Sequence, residues 1–248
     1  MRTTAAQRRH FTRRLLTWYA RAARDLPWRR TRDPYRVLVS EVMLQQTQVS
    51  RVREYYRRFL ERFPDLKTLA QAKPRAVREA WDGLGYYARA RNLHQLAKRV
   101  AGRGVTDKGV AGDSVAELPE DPEELIKLPG IGRYTAGAVA SFAYEKPVPA
   151  VDTNVARVIA RVFLGNSRQR LSGNRQRRIW SLAAALIPKS GKRAWRFNQA
   201  MMELGALICI ARKPRCPECP VSQVCRTGGR ILRGARSTPE TGARRAAT

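Results

Sequence analysis

Residues 121–144 read DPEELIKLPGIGRYTAGAVASFAY, and this order predicts two short helices joined by a tight turn. We expect the first helix to end at Leu128 and the second to start near Arg133. The turn between them holds two glycines, which permit a close reversal, and one apolar residue, which plugs the gap between the helices. Small residues in the second helix allow close packing: Ala136, Gly137 and Ala140. We interpret the segment as a helix–hairpin–helix rather than an ordinary glycine turn between helices.

The hairpin has the chemistry of a phosphate site. Gly130 and Gly132 leave backbone N–H groups uncovered just before Arg133, at the start of the second helix. A helix N-terminus favours an anion through its free N–H groups and its dipole. Contacts of this kind position a nucleic-acid backbone without reading its sequence. Such hairpins often hold a monovalent cation on backbone carbonyls as well, so a cation is a further candidate here.

The charge of the whole chain agrees with a polyanionic partner. The 248 residues include 49 Lys and Arg against 20 Asp and Glu, which gives a formal net charge of +29. Solubility alone requires far less charge than this. Nucleic acid is the favoured partner. A membrane surface is the weaker choice, because no long basic amphipathic helix stands apart from the fold.

The N-terminus reads MRTTAAQRRHFTRR and lacks the apolar centre of a signal peptide. No apolar run in the chain is long enough to suggest a membrane span. We therefore expect an intracellular protein of the cytoplasm or nucleoid, neither secreted nor membrane-bound.

The hydrophobic periodicity is helical throughout and predicts an all-α fold of about ten helices. Asp-Pro and similar pairs mark several of the breaks. Loops are expected at 102–119 and 165–175, and the small, polar, basic tail from about 228 is expected to be disordered. The expected helices cover 11–23, 35–60, 66–72, 75–82, 86–101, 122–128, 134–144, 153–164, 176–187 and 194–209.

The only four cysteines of the chain lie close together near its C-terminus, at Cys209, Cys216, Cys219 and Cys225. Prolines and basic residues surround them, which favours a tight loop that directs several sulfurs toward one point. Four thiolates on one centre suit zinc or an iron–sulfur cluster, and the spacing alone leaves both open. Disulfides are the weaker alternative in an intracellular chain.

Two carboxylates are candidates for catalysis. Glu41 lies in YRVLVSEVMLQQTQV, where apolar residues flank it on both sides of a helical wheel. Burial would raise the pKa of this carboxyl group, which suits a general acid. Asp152 precedes a helix and has the residue type of an N-cap. Its place one helix beyond the hairpin would also bring it close to a bound strand.

The sequence resembles the endonuclease III superfamily of DNA glycosylases and, within it, the MutY adenine glycosylases. The resemblance covers about residues 11–226. It rests on LPWRRTRDPYRVLVSEVMLQQTQV, WDGLGYYARARNLH, LPGIGRYTAGAVASFA, VDTNVARVIAR, RFNQAMMELGALIC and the cysteine spacing. By this resemblance the four cysteines would hold a [4Fe–4S] cluster, with a structural role remote from the chemistry.

The resemblance also implies two helical lobes with a DNA groove between them. A six-helix barrel would span 24–138, with the hairpin region at 121–144 across the junction. An iron–sulfur lobe would combine 1–23 with 139–227, and 228–248 would form the tail.

The resemblance assigns the chemistry to four residues. Glu41 matches the acid that protonates N7 of adenine. Asp152 matches the carboxylate that stabilises the oxocarbenium charge on the sugar, and Asn154 matches its positioning residue. Tyr134 stands where strand-cutting relatives carry the lysine that forms a Schiff base. The resemblance therefore implies a monofunctional enzyme, with Tyr134 supporting the carboxylates by hydrogen bonding.

Base flipping requires residues that fill the gap in the stack. Gln46 and Tyr86 match the wedge residues of the family, and Tyr87 is an alternative to Tyr86. Arg89 and Arg91 flank the same element and are expected to contact phosphates. The residues that match the lining of the adenine pocket are Trp28 and Arg29.

Full-length MutY enzymes continue into a MutT-like domain that recognises 8-oxoguanine, and this chain ends soon after the cysteines. The catalytic part would then act on A:8-oxoguanine and A:G with weaker discrimination, or the wedge region would read the opposite base. The third option is a different substrate, since compact T:G mismatch thymine glycosylases share this fold. A bifunctional lyase and a non-catalytic DNA-binding relative are disfavoured by Tyr134 and by the two carboxylates. We expect a monomer that binds duplex DNA with a mismatch or lesion.

Overall fold

The computed structural model describes residues 4–102, 117–165 and 173–229, and these residues contain helices but no strand, as the periodicity predicts. Short 3-10 turns occur at Pro27–Arg29, Cys216–Glu218 and Ser222–Val224, and Ala160–Leu164 winds as a π-helix. The α-helices are α1 (Ala5–Ala22), α2 (Pro34–Leu44), α3 (Val49–Arg62), α4 (Leu66–Gln71), α5 (Pro74–Ala80), α6 (Ala88–Gly102), α7 (Pro122–Leu125), α8 (Arg133–Phe142), α9 (Thr153–Ile159), α10 (Gly173–Leu186) and α11 (Gly191–Leu207).

The chain divides into two compact units. The larger comprises the described residues of Arg24–Ala150 and Ile187–Asn198, and the smaller comprises those of Met1–Ala23, Val151–Leu186 and Gln199–Thr248. The sequence predicted a division at 138/139, which would cut α8 in two. The structure keeps α8 whole within the larger unit, where it packs against α2 and α7. The predicted groove between two lobes stays a prediction.

Aspartate-proline pairs start helices of the larger unit in the way their sequence indicates. The Asp33 carboxylate accepts from the Arg36 N–H at 3.0 Å, and Pro34 occupies the first helical position of α2. Asp121 caps α7 in the same way through the Glu123 N–H at 3.0 Å. Each cap satisfies a helical N–H that has no partner inside the helix.

The single helix expected at 35–60 is wrong, because residues 45–48 separate α2 from α3. The break carries neither proline nor glycine, and Gln46 adopts a left-handed backbone with φ of 56°. The Arg89 guanidinium of α6 binds the carbonyls of Val42 and Met43 at 2.9 Å each. It satisfies the C-terminal carbonyls that a continuing helix would have used, so a tertiary contact ends α2.

The hairpin follows its prediction closely. The first helix ends at Leu125 rather than at Leu128, and turns carry the chain to Gly130, which has φ of 77°. Ile131 is buried with 7% exposure, as expected of the plug. A Cβ on Gly137 would lie 2.4 Å from the Pro149 carbonyl oxygen, so the segment after α8 approaches this helix face closely.

The core of the smaller unit includes α1 and the π-helical turn. Phe11 of α1 packs edge-on against Phe163, with ring centroids 5.0 Å apart. None of the described helices is both long and apolar enough to cross a bilayer. Most of the loops predicted at 102–119 and 165–175, and almost all of the predicted tail, lie outside the described residues.

Candidate active site

Glu41 is buried in the middle of α2, with only 4% of its surface exposed. The prediction of a carboxyl group inside an apolar helix is therefore confirmed. The residues of α2 on both sides of Glu41 in the sequence are buried as well. The Tyr134 hydroxyl of α8 donates a hydrogen bond to Oε2 of Glu41. Since a buried carboxyl group is destabilised without partners, this donor fixes both its position and its environment.

Tyr134 is the second residue of α8, directly after the hairpin. The N-cap of α8 is Gly132, which offers no side chain to the first N–H groups of the helix. A Cβ added to Gly132 would meet no atom within 4 Å, so the backbone there is openly accessible. The same few residues thus present a helix N-terminus of the kind that suits an anion and the hydroxyl that contacts Glu41.

Asp152 is the N-cap of α9 and also has a second partner. Its Oδ1 accepts from the Val155 N–H at 2.6 Å, and its Oδ2 accepts from Asn154 Nδ2 at 3.0 Å. Burial raises the pKa of the Asp152 carboxyl group, and these two hydrogen bonds and the nearby Arg157 oppose the increase. The predicted pairing of Asn154 with Asp152 is present in the structure. Glu41 and Asp152 belong to different units, each with its own partners.

Arg157 connects this carboxylate to the cysteine loop, a link that the sequence did not reveal. Its Nη2 donates to Asn154 Oδ1 at 2.6 Å and to the Gly205 carbonyl at 2.8 Å. Its Nε donates to the Cys209 carbonyl at 2.8 Å. Arg157 therefore orients two groups. One is the Asn154 amide, which binds Asp152, and the other is the backbone carbonyl of Cys209, the first cysteine of the loop.

The four cysteines line one cavity of about 300 Å³ in the smaller unit. Apolar side chains form part of the wall, with Val158, Val162, Leu204 and Ile208 among them. No three His, Cys, Asp or Glu side chains in the described part of the chain lie close enough together for a single metal ion. A cubane cluster takes one thiolate on each iron, and the four cysteines around this cavity would supply that set.

The buried Arg161 closes one side of this cavity. Its guanidinium donates to the carbonyls of Cys209 at 3.2 Å, Ile210 at 2.6 Å and Ala211 at 2.8 Å. It also lies 3.5 Å from Cys209 Sγ, and the Gly228 N–H donates to Cys225 Sγ at 3.2 Å. These donors would stabilise the negative charge of cluster thiolates.

Burial disfavours the thiolate form of three cysteines that line the cavity, so a bound cluster would have to supply the positive charge that ionises them. Burial raises the pKa of Cys219 to about 12 and raises the pKa values of Cys216 and Cys225 as well. Without positive charge from a metal these groups would stay protonated at neutral pH. The site therefore fits a [4Fe–4S] cluster that holds the loop together.

The two predicted wedge residues share an unusual backbone conformation. Gln46 has φ of 56° and Tyr86 has φ of 50°, and both side chains are exposed, Tyr86 by 60%. The Tyr86 hydroxyl has no hydrogen-bond partner among the described residues. The Tyr87 hydroxyl instead donates to Asp82 Oδ1, and the Arg78 guanidinium carbon lies 5.4 Å from its ring centroid. Of the two tyrosines, Tyr86 is the one available for insertion.

Arg89 does not have the predicted role of a phosphate contact. Its side chain is 9% exposed, and both terminal nitrogens donate to acceptors within the protein. Its Nε has no hydrogen-bond partner but is itself buried, so the guanidinium presents no accessible donor to a phosphate. Arg91, two residues further along α6, is exposed and remains a candidate for that contact.

The residues expected at the base pocket are only partly accessible. Trp28 is 6% exposed, and its ring packs edge-on against Tyr56 with centroids 5.5 Å apart. Arg29 is half-buried, and its Nη1 donates to the Arg24 carbonyl at 3.0 Å. Their contact with a flipped base stays a prediction.

Comparisons with known proteins agree with this arrangement. Residues 39–185 match the HhH-GPD superfamily of base excision DNA repair proteins, and residues 209–225 match the iron–sulfur binding domain of endonuclease III. An adenine DNA glycosylase of Mycolicibacterium smegmatis is 46% identical over 86% of this chain and 67% of its own length. The adenine DNA glycosylase of Rattus norvegicus is 42% identical over 90% of this chain and 43% of its own length, so this chain spans less than half of that relative.

Solved structures show the same fold. A thermostable thymine-DNA glycosylase superimposes with a TM-score of 0.78 at 32% identity and covers 91% of this chain and 98% of its own. Endonuclease III, trapped as a covalent intermediate with DNA, superimposes with a TM-score of 0.74 at 26% identity over 93% of this chain and 100% of its own. By its fold, its hairpin and its cysteine loop, the chain belongs to the HhH-GPD superfamily of base excision DNA repair proteins.

Proposed function

We propose that the protein is a monofunctional DNA glycosylase that removes adenine mispaired with 8-oxoguanine or guanine. The observation that carries the proposal is the buried Glu41, which accepts a hydrogen bond from the Tyr134 hydroxyl. Tyr134 directly follows the hairpin that is expected to bind a phosphate. The adenine target is supported by the similarity to adenine DNA glycosylases at 42% and 46% identity.

In the proposed reaction the two carboxyl groups have different roles. Glu41, in its neutral form, donates a proton to N7 of the flipped adenine, so that the base leaves with the electrons of the N-glycosidic bond. The charge that develops on the sugar is stabilised by Asp152 as a carboxylate. Water then adds to C1′ and releases a proton to the solvent, which leaves an abasic site, and Glu41 takes up a proton from the solvent to restore the neutral acid. The reaction requires one neutral and one ionised carboxyl group, as in other glycoside hydrolyses.

Tyr134 supports the monofunctional assignment. A glycosylase that also cuts the strand uses an amine that forms a Schiff base with the sugar. A phenol cannot form a Schiff base, and here the hydroxyl is engaged by Glu41. We therefore infer that the DNA backbone stays intact until the abasic site is cleaved by alkali or by another enzyme.

The proposed substrate is duplex DNA that contains a mispair, bound by a monomer in the cytoplasm or nucleoid. The open N-terminus of α8 would take one phosphate, and the exposed Arg91 would contact another. Gln46 and Tyr86 would enter the duplex when the adenine leaves the stack. The formal charge of +29 supports strong, salt-dependent binding of the backbone.

The second candidate is a mismatch thymine glycosylase that acts on T:G pairs. The observation in its favour is the superposition on the thermostable thymine-DNA glycosylase, which covers 91% of this chain and 98% of that glycosylase. The higher identity to adenine DNA glycosylases favours the first candidate.

One panel of duplexes separates the two candidates. The target strand is end-labelled, and the duplexes contain A:8-oxoguanine, A:G, T:G, U:G or thymine glycol. Each is incubated with the cluster-containing protein and then analysed with and without hot alkali. We expect cleavage only after alkali and only in strands that carry mispaired adenine. Cleavage of the T:G strand alone would support the second candidate, and cleavage without alkali would contradict the monofunctional assignment.

A further inference from the structure

We propose that Arg89 is a positioning residue that fixes the loops 45–48 and 83–87 as one rigid probe, so that Gln46 and Tyr86 enter the duplex together. This role rests on the glycosylase function proposed above, because a wedge is needed only where a base is flipped. It replaces the phosphate contact that the sequence suggested for Arg89.

The guanidinium of Arg89 joins the two loops directly. Its Nη1 donates to the Gln45 carbonyl at 2.6 Å, and its Nη2 donates to Thr47 Oγ1 at 3.2 Å. These acceptors stand immediately before and after Gln46. The same Nη2 donates to the carbonyls of Leu84 at 3.2 Å and Gly85 at 3.0 Å, just before Tyr86. Because a guanidinium is planar and stiff, acceptors that share it are held in a fixed relative position.

Both probe residues have a backbone conformation that needs such support. The described residues contain four non-glycine positions with positive φ, and two of them are Gln46 and Tyr86. A left-handed backbone is unfavourable for residues with a Cβ and persists where surrounding contacts enforce it. Arg89 is placed to provide these contacts for both residues at once.

Arg89 also touches the inserting ring. Its guanidinium carbon lies 5.5 Å from the centroid of the Tyr86 ring and 5.4 Å from that of Trp81. Both distances allow a cation–π attraction. Trp81 is fully buried, and its indole N–H donates to the Gly85 carbonyl at 3.2 Å. The position of the exposed Tyr86 ring is thus linked to the core through Arg89.

The positive charge of Arg89 is stabilised by hydrogen bonds to neutral backbone carbonyls. Burial lowers its pKa, although a guanidinium remains charged at neutral pH. Lysine would keep the charge but could not reach acceptors on both loops with a planar fork. Arg89→Lys should therefore separate the geometric role from the electrostatic one.

The first experiment measures unstacking without excision. In a Glu41→Gln background, 2-aminopurine beside the target adenine reports the opening of the stack through its fluorescence. We expect Arg89→Lys and Arg89→Met to abolish most of the fluorescence increase at saturating protein. Arg99→Met, an exposed arginine of the same helix, serves as the matched control and should leave the increase unchanged. An unchanged signal in folded Arg89→Lys protein would overturn the proposal.

The second experiment tests whether Arg89 couples the two wedge residues. Single-turnover excision is measured for Gln46→Ala, Tyr86→Ala and the double variant, in chains that carry either Arg89 or Arg89→Lys. With Arg89 present, the double variant should lose less than the product of the two single losses. With Arg89→Lys, which alone should slow excision by roughly a hundredfold, the losses should multiply. If the effects of Gln46→Ala and Tyr86→Ala are coupled equally in both backgrounds, the proposal is overturned. A purely structural role of Arg89 does not predict that this coupling disappears in Arg89→Lys.

The design separates failure of this role from failure of the proposed function. If the wild-type protein releases no adenine, the proposed function is wrong, and the same fluorescence assay with 2-aminopurine beside the thymine of a T:G pair then tests Arg89. If both arginine variants fail to fold, Thr47→Val decides, because it removes one acceptor of Arg89 from a half-buried position. We expect Thr47→Val to reduce unstacking in the same direction, and no reduction would overturn the proposal.

Discussion

The Tyr134 hydroxyl donates a hydrogen bond to the Glu41 carboxylate across 93 positions of sequence. The contact brings the helix that follows the hairpin against the helix that carries the candidate acid. A protein that grips the backbone at the hairpin would therefore place this carboxyl group at a fixed distance from the bound strand.

Replacement of Glu41 by Gln should separate binding from chemistry. The amide keeps the shape of the side chain but has no acidic proton, so we expect excision to fall by about a thousandfold or more. Affinity for the mispaired duplex, measured by fluorescence anisotropy, should stay close to that of the wild type. Glu54→Gln, on the exposed face of α3, is the matched control. Normal excision by Glu41→Gln would contradict the acid role.

Replacement of Tyr134 by Phe removes the donor to Glu41 and keeps the ring. We expect single-turnover excision to fall by about tenfold, because the hydrogen bond that positions the buried Glu41 side chain is lost. Neither the wild type nor this variant should form a covalent adduct with DNA in the presence of borohydride. A strong adduct in the wild type would show that an amine attacks the sugar.

The raised pKa of Asp152 predicts opposite pH dependences for activity and stability. Excision requires the carboxylate, so the rate should rise with pH through a pKa above the ordinary value of 3.8. Burial favours the protonated form, so the stability contributed by this group is present below the unfolded pKa and is lost as pH rises through the folded pKa. Asp152→Asn should thus gain stability relative to the wild type across this window, while excision falls by about a hundredfold to a thousandfold.

Asn154→Ala tests the cause of that pH dependence. The Asn154 amide stabilises the ionised form of Asp152, so its removal should shift the acid limb of the rate profile to higher pH. Thr153→Ala, an exposed neighbour, is the control. An unshifted limb in Asn154→Ala would show that the amide does not tune Asp152.

Cys219→Ser tests the cluster without reference to activity. Serine is a poor ligand for iron at this position, so the purified variant should lose most of its iron and its visible absorbance. The melting temperature should fall, because the loop 209–225 would lose the group that joins its ends. Gln223→Ala, an exposed residue of the same loop, is the control. Full iron content in Cys219→Ser would exclude this cysteine as a ligand.

The burial of Glu41 and the hairpin are predictable from the sequence because both depend on local pattern. Glu41 interrupts an apolar helix, and the hairpin depends on glycines at defined positions, so neighbouring residues suffice to reveal them. The break after α2 was missed because its cause, Arg89, lies 44 positions from Gln45. Nothing within 35–60 marks the end of a helix.

The buried arginines show the same limit. The sequence predicts a phosphate contact for Arg89 and no particular role for Arg157 or Arg161. Each is instead bound to carbonyls that only the folded chain brings near, as with the Cys209 carbonyl, 52 positions from Arg157 and 48 from Arg161. A basic residue in a basic chain looks like a ligand for DNA until its acceptors are known.

The identity of the released base tests the central claim most directly. An A:8-oxoguanine duplex and a T:G duplex are each incubated with excess wild-type protein, and the small-molecule fraction is analysed by chromatography and mass spectrometry. We predict free adenine from the first duplex, an intact phosphodiester backbone, and no free base from the second. Release of thymine without release of adenine, or scission of the untreated strand, would contradict the account.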